Sequence, residues 1–285
     1  MGCLNSDKNF THWFGNIHFS GPCNRSCYFC IGQHMMALDP LDNLSSWPLR
    51  GIWKFVDECL NHNIHEINLT GSNTDPLLCQ NIGKLNALLR TAIPELVLGV
   101  RTNGVVALNH LDDWKLFDKA SISIPSFDEA IYEEMMGQGV TPRLEEILAN
   151  SSHMQSVKIN IVLGPENLAD NDLAKTLDRL SDLGIKRTNL REPYGQPHLG
   201  DPLAKSAVEV KRIYGMPVYL WGQMEVTYWD VHYVEVESVN LYANGRVSAD
   251  YPITRGHDAL SGSVLDQSHF PGGRVSPQWQ HLRLG

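Results

Sequence analysis

Short apolar runs alternate with longer helical patterns along the first two thirds of the chain, and this alternation limits the folds that it can adopt. The pattern is typical of βαβ units, in which parallel strands form a sheet that helices cover. Six such repeats favour a barrel about three quarters closed over a complete barrel of eight strands. The sequence therefore predicts an α/β fold, a partial (β/α)6 TIM-like barrel with a C-terminal β-hairpin extension.

The predicted strands and helices follow one another in a simple order. The strands are expected at 16–20, 66–70, 95–101, 120–124, 156–163 and 185–190, and the clearest helices at 49–61, 75–89 and 171–183. A further helical region is expected before 156, broken near 137–142. Because βαβ crossovers are right-handed, the loops that follow the strands should all lie on one face.

The pattern changes after Pro202. A seventh strand is predicted at 217–221, and 232–242 with 246–249 is typical of a hairpin turning at Asn244-Gly245. The chain is thus expected to divide into an N-terminal segment, 1–15, the partial barrel, 16–200, and an extension, 201–285. Aromatic and acidic residues at 225–232 suggest that this extension closes the barrel and the substrate site.

Composition narrows the partners and the compartment. A chain of 285 residues can bury the core of one such barrel. Its net charge of −9 argues against nucleic acid as the main partner, because nucleic-acid surfaces need excess Lys and Arg. Six cysteines outside any paired framework fit a reducing compartment, and no apolar run is long enough to span a bilayer. We therefore expect a cytoplasmic protein with no membrane partner.

Three cysteines, Cys23, Cys27 and Cys30, lie on one short loop directly after the first predicted strand. Thiolates bind iron–sulfur clusters and zinc, and three of them can hold three irons of a four-iron cluster while the fourth iron stays open. A structural zinc ion needs a fourth ligand, which His18 or His34 could supply. The loop by itself leaves both alternatives open.

The spacing of these cysteines, with Phe29 before the last of them, resembles the cluster loop of the radical S-adenosylmethionine (SAM) superfamily. The resemblance extends over roughly residues 15 to 195. It implies an oxygen-sensitive [4Fe-4S] cluster on Cys23, Cys27 and Cys30, with Phe29 beside the cofactor. In that family the open iron binds the amino and carboxylate groups of SAM. An electron from the cluster then cleaves SAM to methionine and a 5′-deoxyadenosyl radical.

The segment that ends the second strand looks like a variant of the family's Gly-Gly-Glu-Pro segment, which contacts the amino group of SAM. Ser72 replaces a glycine here, and Asp75 stands where Glu is common. Glycine lets the backbone approach a ligand, and free carbonyls or an acid accept the ammonium hydrogens. The same segment also satisfies a helix cap followed by proline. The candidate SAM contacts are Thr70, Gly71, Ser72, Asn73 and Asp75.

Two further candidates follow the third and fourth strands. Thr102 and Asn103, within Arg-Thr-Asn-Gly, match the Thr-Asn-Gly of relatives of the molybdenum-cofactor cyclase. Ser121 and Ser123 alternate along a strand and therefore point to the same side. In the family a Ser or Asp at this place bonds the ribose hydroxyls. Small hydroxyl side chains that only fill a narrow barrel interior are the structural alternative.

The fifth and sixth strands contribute the last candidates. Lys158 and Asn160 resemble the Lys-x-Asn pair of the same relatives, and alternation directs both into the barrel. A lysine there is costly unless it is paired, so a carboxylate or phosphate on SAM or on the substrate is its expected partner. Arg191 suits a bidentate clamp on the SAM carboxylate, with a surface ion pair to Glu192 as the alternative.

The C-terminal hairpin separates this chain from the cyclase itself. In relatives with a second cluster a cysteine follows such a hairpin, but Ser248 and Ala249 occur here and no cysteine follows Cys79. We therefore expect a single cluster. The leading hypothesis is a radical SAM enzyme acting on a small polar organic substrate, with flavodoxin or ferredoxin as reductant. The alternatives are a peptide- or protein-modifying radical SAM enzyme and a non-catalytic, zinc-stabilised binding protein.

Overall fold

One sheet organises the chain, and the computed structural model describes residues 13–35, 41–230 and 237–249. The strands of these residues are β1 (Phe14–Phe19), β2 (Glu66–Gly71), β3 (Val97–Thr102), β4 (Lys119–Ser123), β5 (Ser156–Val162), β6 (Arg187–Arg191), β7 (Glu209–Ile213), β8 (Met216–Trp221), β9 (Met224–Trp229), β10 (Ser238–Leu241) and β11 (Val247–Ser248).

The order of the strands across the sheet is β11-β10-β1-β2-β3-β4-β5-β6-β9-β8-β7. All neighbours from β10 through β9 pair in parallel. Only the outermost pairs, β10–β11, β9–β8 and β8–β7, are antiparallel. The carboxyl ends of the parallel strands therefore meet along one edge, where loops can build a common site.

Helices connect the strands and cover the outer face of the sheet. They are α1 (Gly32–Met35), α2 (Ile52–Asn61), α3 (Ile82–Ala92), α4 (Leu111–Trp114), α5 (Glu129–Met136), α6 (Leu144–Ala149), α7 (Pro165–Leu168) and α8 (Asp172–Asp182), with short 3₁₀ turns at Pro76–Leu78, Ala107–His110 and Ala169–Asn171. Phe55 of α2 packs so closely on β1 that a Cβ at Gly15 would lie 2.9 Å from its ring. Glycine at that position lets this helix approach the sheet.

Alternation along the strands places apolar side chains outward and polar ones inward. Outward residues such as Ile17, Leu69 and Ile159 are fully buried beneath the helices. On the inner face, Lys119 Nζ of β4 donates to Glu66 Oε2 of β2 across 2.6 Å, although β3 lies between these strands. Gly99 of β3 leaves room there, since a Cβ at that residue would lie 2.4 Å from Asn68 Oδ1. The inner face is therefore concave and polar.

The predicted fold class is confirmed, and all six barrel strands occur in the expected order. The break between α5 and α6 also lies where the sequence indicates it. The continuous helix predicted over 75–89 is wrong. The structure has a 3₁₀ turn over Pro76–Leu78, extended backbone at Cys79 and a separate helix from Ile82. The Asp75 cap closes only that first short turn, so the helix must begin again.

The C-terminal third adds more to the sheet than its sequence indicates. The predicted seventh strand is present as β8, but β7 and β9 beside it were not predicted. The hairpin is present as β10 and β11 within the described residues, while 232–236 of its predicted first strand lie outside them. β10 and β9 extend the two edges of the six-stranded barrel, pairing with β1 and β6. The predicted division at residues 15 and 200 stays a prediction.

No helix in the described ranges is both long and apolar enough to cross a membrane.

Candidate active site

A cavity of about 290 Å³ opens at the carboxyl ends of the parallel strands. Fourteen of the sixteen residues proposed from the sequence line it: Cys23, Cys27, Phe29, Cys30, Thr70, Gly71, Ser72, Asn73, Asp75, Thr102, Asn103, Ser123, Asn160 and Arg191. Ser121 and Lys158 do not belong to this lining. Residues separated by up to 168 positions thus share one space, because parallel strands end at one edge of the sheet.

The cysteine loop is fastened to the ends of two strands. Asn103 Nδ2, after β3, donates to Asn24 Oδ1 across 2.7 Å. The Thr74 hydroxyl, after β2, donates to the Pro22 carbonyl across 2.6 Å, and the Gly21 N–H donates to Asn73 Oδ1 across 3.0 Å. The thiols are therefore presented by a loop that is itself held in place.

Helix α5 supports the same loop from the other side. The Ser26 N–H donates to the Met136 carbonyl across 3.3 Å, and Arg25 Nη1 donates to the Gln138 carbonyl across 3.0 Å. Cys27 packs against Met136, with 3.5 Å between its Sγ and the thioether sulfur. Gly137 has a φ of 82°, and a Cβ there would lie 2.1 Å from Ser26 Oγ. Glycine is therefore needed where this helix ends against the loop.

All three thiols of the loop are free, as a metal site requires. Burial, followed by the nearby Cys30 and Cys23, raises the pKa of the Cys27 thiol to about 12. A metal that binds thiolate must therefore displace a tightly held proton at Cys27. No group of three or more His, Cys, Asp or Glu among the described residues is arranged to hold a single metal ion.

The two histidines that could complete a zinc site make other contacts. His18 Nε2 lies 3.4 Å from Asn240 Oδ1 inside the barrel, and its ring stacks on Tyr242 at 4.9 Å. Burial lowers the pKa of His18 to about 4, so this imidazole is neutral at ordinary pH. His34 packs edge-on against Tyr194 at 4.9 Å.

The segment after β2 turns very tightly, and its Asp75 both caps the next turn and lines the cavity. A Cβ on Gly71 would lie 1.6 Å from the Thr74 carbonyl oxygen, so only glycine fits there. Asp75 is 2% exposed, and its Oδ1 caps the following turn by accepting from the Leu77 N–H. Its Oδ2 accepts from the Thr102 hydroxyl and from the Asn103 N–H, both across 2.7 Å. The capping role and a place in the cavity wall therefore coexist.

The candidates on β4 and β5 form two levels of the inner face. Ser123 and Asn160 are register partners and line the cavity. Ser121 and Lys158 are register partners one level further from the carboxyl ends. Asn160 Nδ2 joins the two levels by donating to Ser121 Oγ across 2.5 Å. Serine at both positions keeps this part of the interior open.

Arg191 and Glu192 do not form the surface pair that was the structural alternative. The guanidinium of Arg191 lies 5.6 Å from the centre of the Trp229 ring. Glu192 is 5% exposed and accepts from the Tyr228 hydroxyl across 2.6 Å and from the Gly200 N–H across 2.8 Å. Glu192 thus anchors the loop after β6, while Arg191 and Trp229 both line the cavity.

Several lining residues were not predicted from the sequence. They are Phe14, Arg25, Ile31, Thr74, Arg101, Met136, Val162, Glu192, Pro193 and Tyr194. Thr74 lies inside the glycine-containing segment after β2, and Arg101 lies inside the Arg-Thr-Asn-Gly motif. Alternation from Lys158 and Asn160 also directs Val162 inward. Met136 carries no comparable local signal, since an apolar residue at a helix end is usually core.

Neither a protein-family model nor a curated protein sequence matches the chain. Solved structures do match. SuiB from Streptococcus suis aligns over 87% of this chain and 62% of SuiB at 9% identity, with a TM-score of 0.55. SuiB bound to its precursor peptide SuiA aligns over 64% of this chain and 40% of SuiB at 14% identity, with a TM-score of 0.50.

HemN, the coproporphyrinogen III oxidase and radical SAM enzyme from Escherichia coli, aligns over 65% of this chain and 45% of HemN at 18% identity, with a TM-score of 0.46. The chain thus spans less than two thirds of the length of each of these structures. At such identities the likeness concerns the fold alone. The chain shares the mostly parallel, partial-barrel α/β fold with SuiB.

Proposed function

We propose that this protein is a radical SAM enzyme with a single [4Fe-4S] cluster. One observation carries the proposal: Cys23, Cys27 and Cys30 border the same cavity as the polar residues at the ends of β2 to β6. The free thiols are suitable ligands for an iron–sulfur cluster. The hydrogen bonds that hold the cysteine loop in place would keep such a cluster shielded. The Thr-Asn-Gly and Lys-x-Asn motifs favour a place near the molybdenum-cofactor cyclase branch.

In this proposal the cysteines hold three irons and the walls of the cavity bind SAM. When bound, the cluster supplies the electron that cleaves SAM to methionine and a 5′-deoxyadenosyl radical. Thr70 to Asp75 face the amino group, Arg191 clamps the carboxylate, and Ser123 and Asn160 face the nucleoside. Held in one orientation, the reacting carbon of the substrate meets the radical before water does. Trp229 of the extension completes that wall.

We take the substrate to be a small polar organic molecule, the reductant to be a flavodoxin or ferredoxin, and the compartment to be the cytoplasm. Peptide modification is the second candidate, because SuiB, which has the same fold, has been solved with its precursor peptide. Product analysis separates the two, since hydrogen abstracted from a peptide leaves a mass change on the peptide.

The test is anaerobic. The full chain is reconstituted with iron and sulfide, given SAM and dithionite, and assayed for 5′-deoxyadenosine. We expect product from the natural chain and background from Cys27→Ala, because that variant lacks one of three iron ligands. Cys79→Ala is the matched control, since Cys79 is a buried cysteine outside the loop. Bound zinc with neither cluster absorbance nor deoxyadenosine would contradict the proposal and leave the zinc-stabilised binding protein.

A further inference from the structure

Two cations face each other across β4 on the inner face of the barrel. Arg101 of β3 and Lys158 of β5 are both register partners of Ser121, so the three residues form one row across three strands. Adjacent strands are about 5 Å apart, and the small serine between them lets both long side chains reach the same space. Arg101 also lines the cavity, so this row adjoins its floor.

Neither cation has a carboxylate partner within the described residues. Two other basic residues of the inner face are paired, Lys119 with Glu66 at 2.6 Å and Arg187 with Glu225 at 3.6 Å. Within the part of the chain that the structure describes, the one contact of the Arg101 guanidinium is with the Phe14 ring, whose centre lies 5.7 Å away. Unpaired charge inside a protein is costly, and here it occurs in a chain whose net charge is −9. The row is therefore positively charged, although the net charge of the whole chain is negative.

SAM does not neutralise this row. The cofactor has one carboxylate but also one ammonium and one sulfonium group, so it brings net positive charge. In the proposed function its carboxylate is clamped by Arg191, which lies in register with Val162, further along β5 than Lys158. A second anion is needed to satisfy Arg101 and Lys158.

We propose that the substrate of this enzyme carries an oxyanion, a carboxylate or a phosphate, which Arg101 and Lys158 bind where their row adjoins the floor of the cavity. The inference rests on the proposed function for its reaction but not for its binding site. Both cations form strong hydrogen bonds with either oxyanion. The Ser121 hydroxyl accepts from Asn160 and keeps its own hydrogen to donate to the anion. The anionic end thus lies deepest, and the rest of the substrate points toward the cysteine loop.

The binding site is tested on the full chain with inorganic phosphate and with acetate as probes, by calorimetric titration at constant ionic strength. Arg101→Met and Lys158→Met keep the length of each side chain and remove its charge. We expect each to weaken binding of the probes by about tenfold or more, the loss typical of a charged hydrogen bond. Exposed Arg143→Met and Lys186→Met are the matched controls and should bind like the natural chain.

Thermal unfolding shows whether each variant is folded, and removal of an unpaired internal charge should not lower the midpoint. If a single variant does not fold, Ser121→Val tests the same row, since it blocks the space between the cations. Probe binding that is the same in the natural chain and in all folded variants of the row would overturn the proposal.

The source of the oxyanion is decided with the reconstituted enzyme. Small phosphate monoesters, small carboxylic acids and neutral analogues of both are compared for their acceleration of 5′-deoxyadenosine formation. Acceleration by either anionic set supports the proposal and assigns the group, while equal acceleration by the neutral analogues refutes it. Probe binding that depends on the row but occurs without any deoxyadenosine would leave the anion site standing and remove the proposed function.

Discussion

The carboxylate of Asp75 joins two segments of the cavity wall at the level of single atoms. It caps the turn after β2, accepts from Thr102 at the end of β3 and from Asn103 directly after it, and is almost fully buried. Burial raises the pKa of this carboxyl, while the N–H of Asn103 and the hydroxyl of Thr102 oppose that rise. Donors that surround a buried carboxylate lose their partners together when it is removed.

Asp75→Ala should therefore lower the free energy of unfolding by about 2 to 4 kcal/mol, through a lost cap and unsatisfied buried donors. Urea denaturation measures the change. Asp128→Ala is the matched control, because Asp128 caps α5 with two exposed backbone hydrogen bonds. It should cost only about 1 kcal/mol. Equal losses in both variants would mean that the contacts to Thr102 and Asn103 contribute nothing.

The buried amine of Lys158 should make the stability of the ligand-free protein depend on pH. Burial and the neighbouring Arg101 and Arg191 lower its pKa to about 7, and Arg187 adds to this, while Glu66 opposes it. The unfolded chain keeps a lysine pKa near 10.4 and so binds more protons between these values. Stability should therefore rise with pH above about 7, relative to a chain without this amine.

The measurement compares the natural chain with Lys158→Met in urea at pH 7 and pH 9. The natural chain should gain about 1 to 2 kcal/mol relative to the variant over this interval. Lys186→Met, an exposed substitution of the same kind, should follow the natural chain. A parallel pH dependence in the natural chain and Lys158→Met would show that the amine is not desolvated.

At the scale of elements, the site depends on how strand ends and helix ends meet the cysteine loop. β2 ends at Gly71, directly before the turn whose Thr74 holds the Pro22 carbonyl. α5 ends at Met136, whose carbonyl accepts from the Ser26 N–H, and the carbonyl of the next residue, Gly137, accepts from Arg25 Nη1. Neither contact belongs to regular secondary structure, so both depend on residues small enough to let backbones approach.

Gly71→Ala tests this dependence, because the new Cβ would lie 1.6 Å from the Thr74 carbonyl and must displace the turn. We expect the free energy of unfolding to fall by about 3 kcal/mol or more, a loss at the upper end for single substitutions. Gly83→Ala is the matched control in open space on α3 and should raise it by about 0.5 to 1 kcal/mol. Iron content after reconstitution should fall in the first variant alone.

Over the whole molecule, the C-terminal strand β10 completes the wall that the N-terminal strand β1 begins. The two strands pair in parallel, and Asn16 Nδ2 donates to Asn240 Oδ1 across 2.8 Å although 224 positions separate them. His18 approaches the same oxygen. Both asparagines are fully buried, so water cannot replace the hydrogen bond between them when one partner is removed.

A double-mutant cycle with Asn16→Ala and Asn240→Ala should give a coupling energy of about 1 to 2 kcal/mol. The control cycle uses Asn86 and Arg90, which share an exposed hydrogen bond of 2.9 Å within α3. Its coupling should stay below about 0.5 kcal/mol. Additive losses in the first cycle would show that the two ends of the chain are not coupled through this contact.

The sequence by itself determined the order of the six barrel strands and the place of the cysteine loop. Both are local, since strand patterns repeat every second residue and Cys23, Cys27 and Cys30 lie close in the chain. It also located most of the candidate site, because parallel strands bring motifs at their carboxyl ends together without any need to know the packing.

Only the tertiary structure decided which strands cover the edges and how the inner face pairs its charges. β10 beside β1 and β9 beside β6 depend on contacts between distant segments, which no local pattern specifies. Lys119 meets Glu66 while Arg101 and Lys158 meet no carboxylate in the described part of the chain, and this difference follows from register and from the space above Gly99. Register is set when strands pair, and hence the cations without a carboxylate partner beside the cavity floor are visible only in the folded molecule.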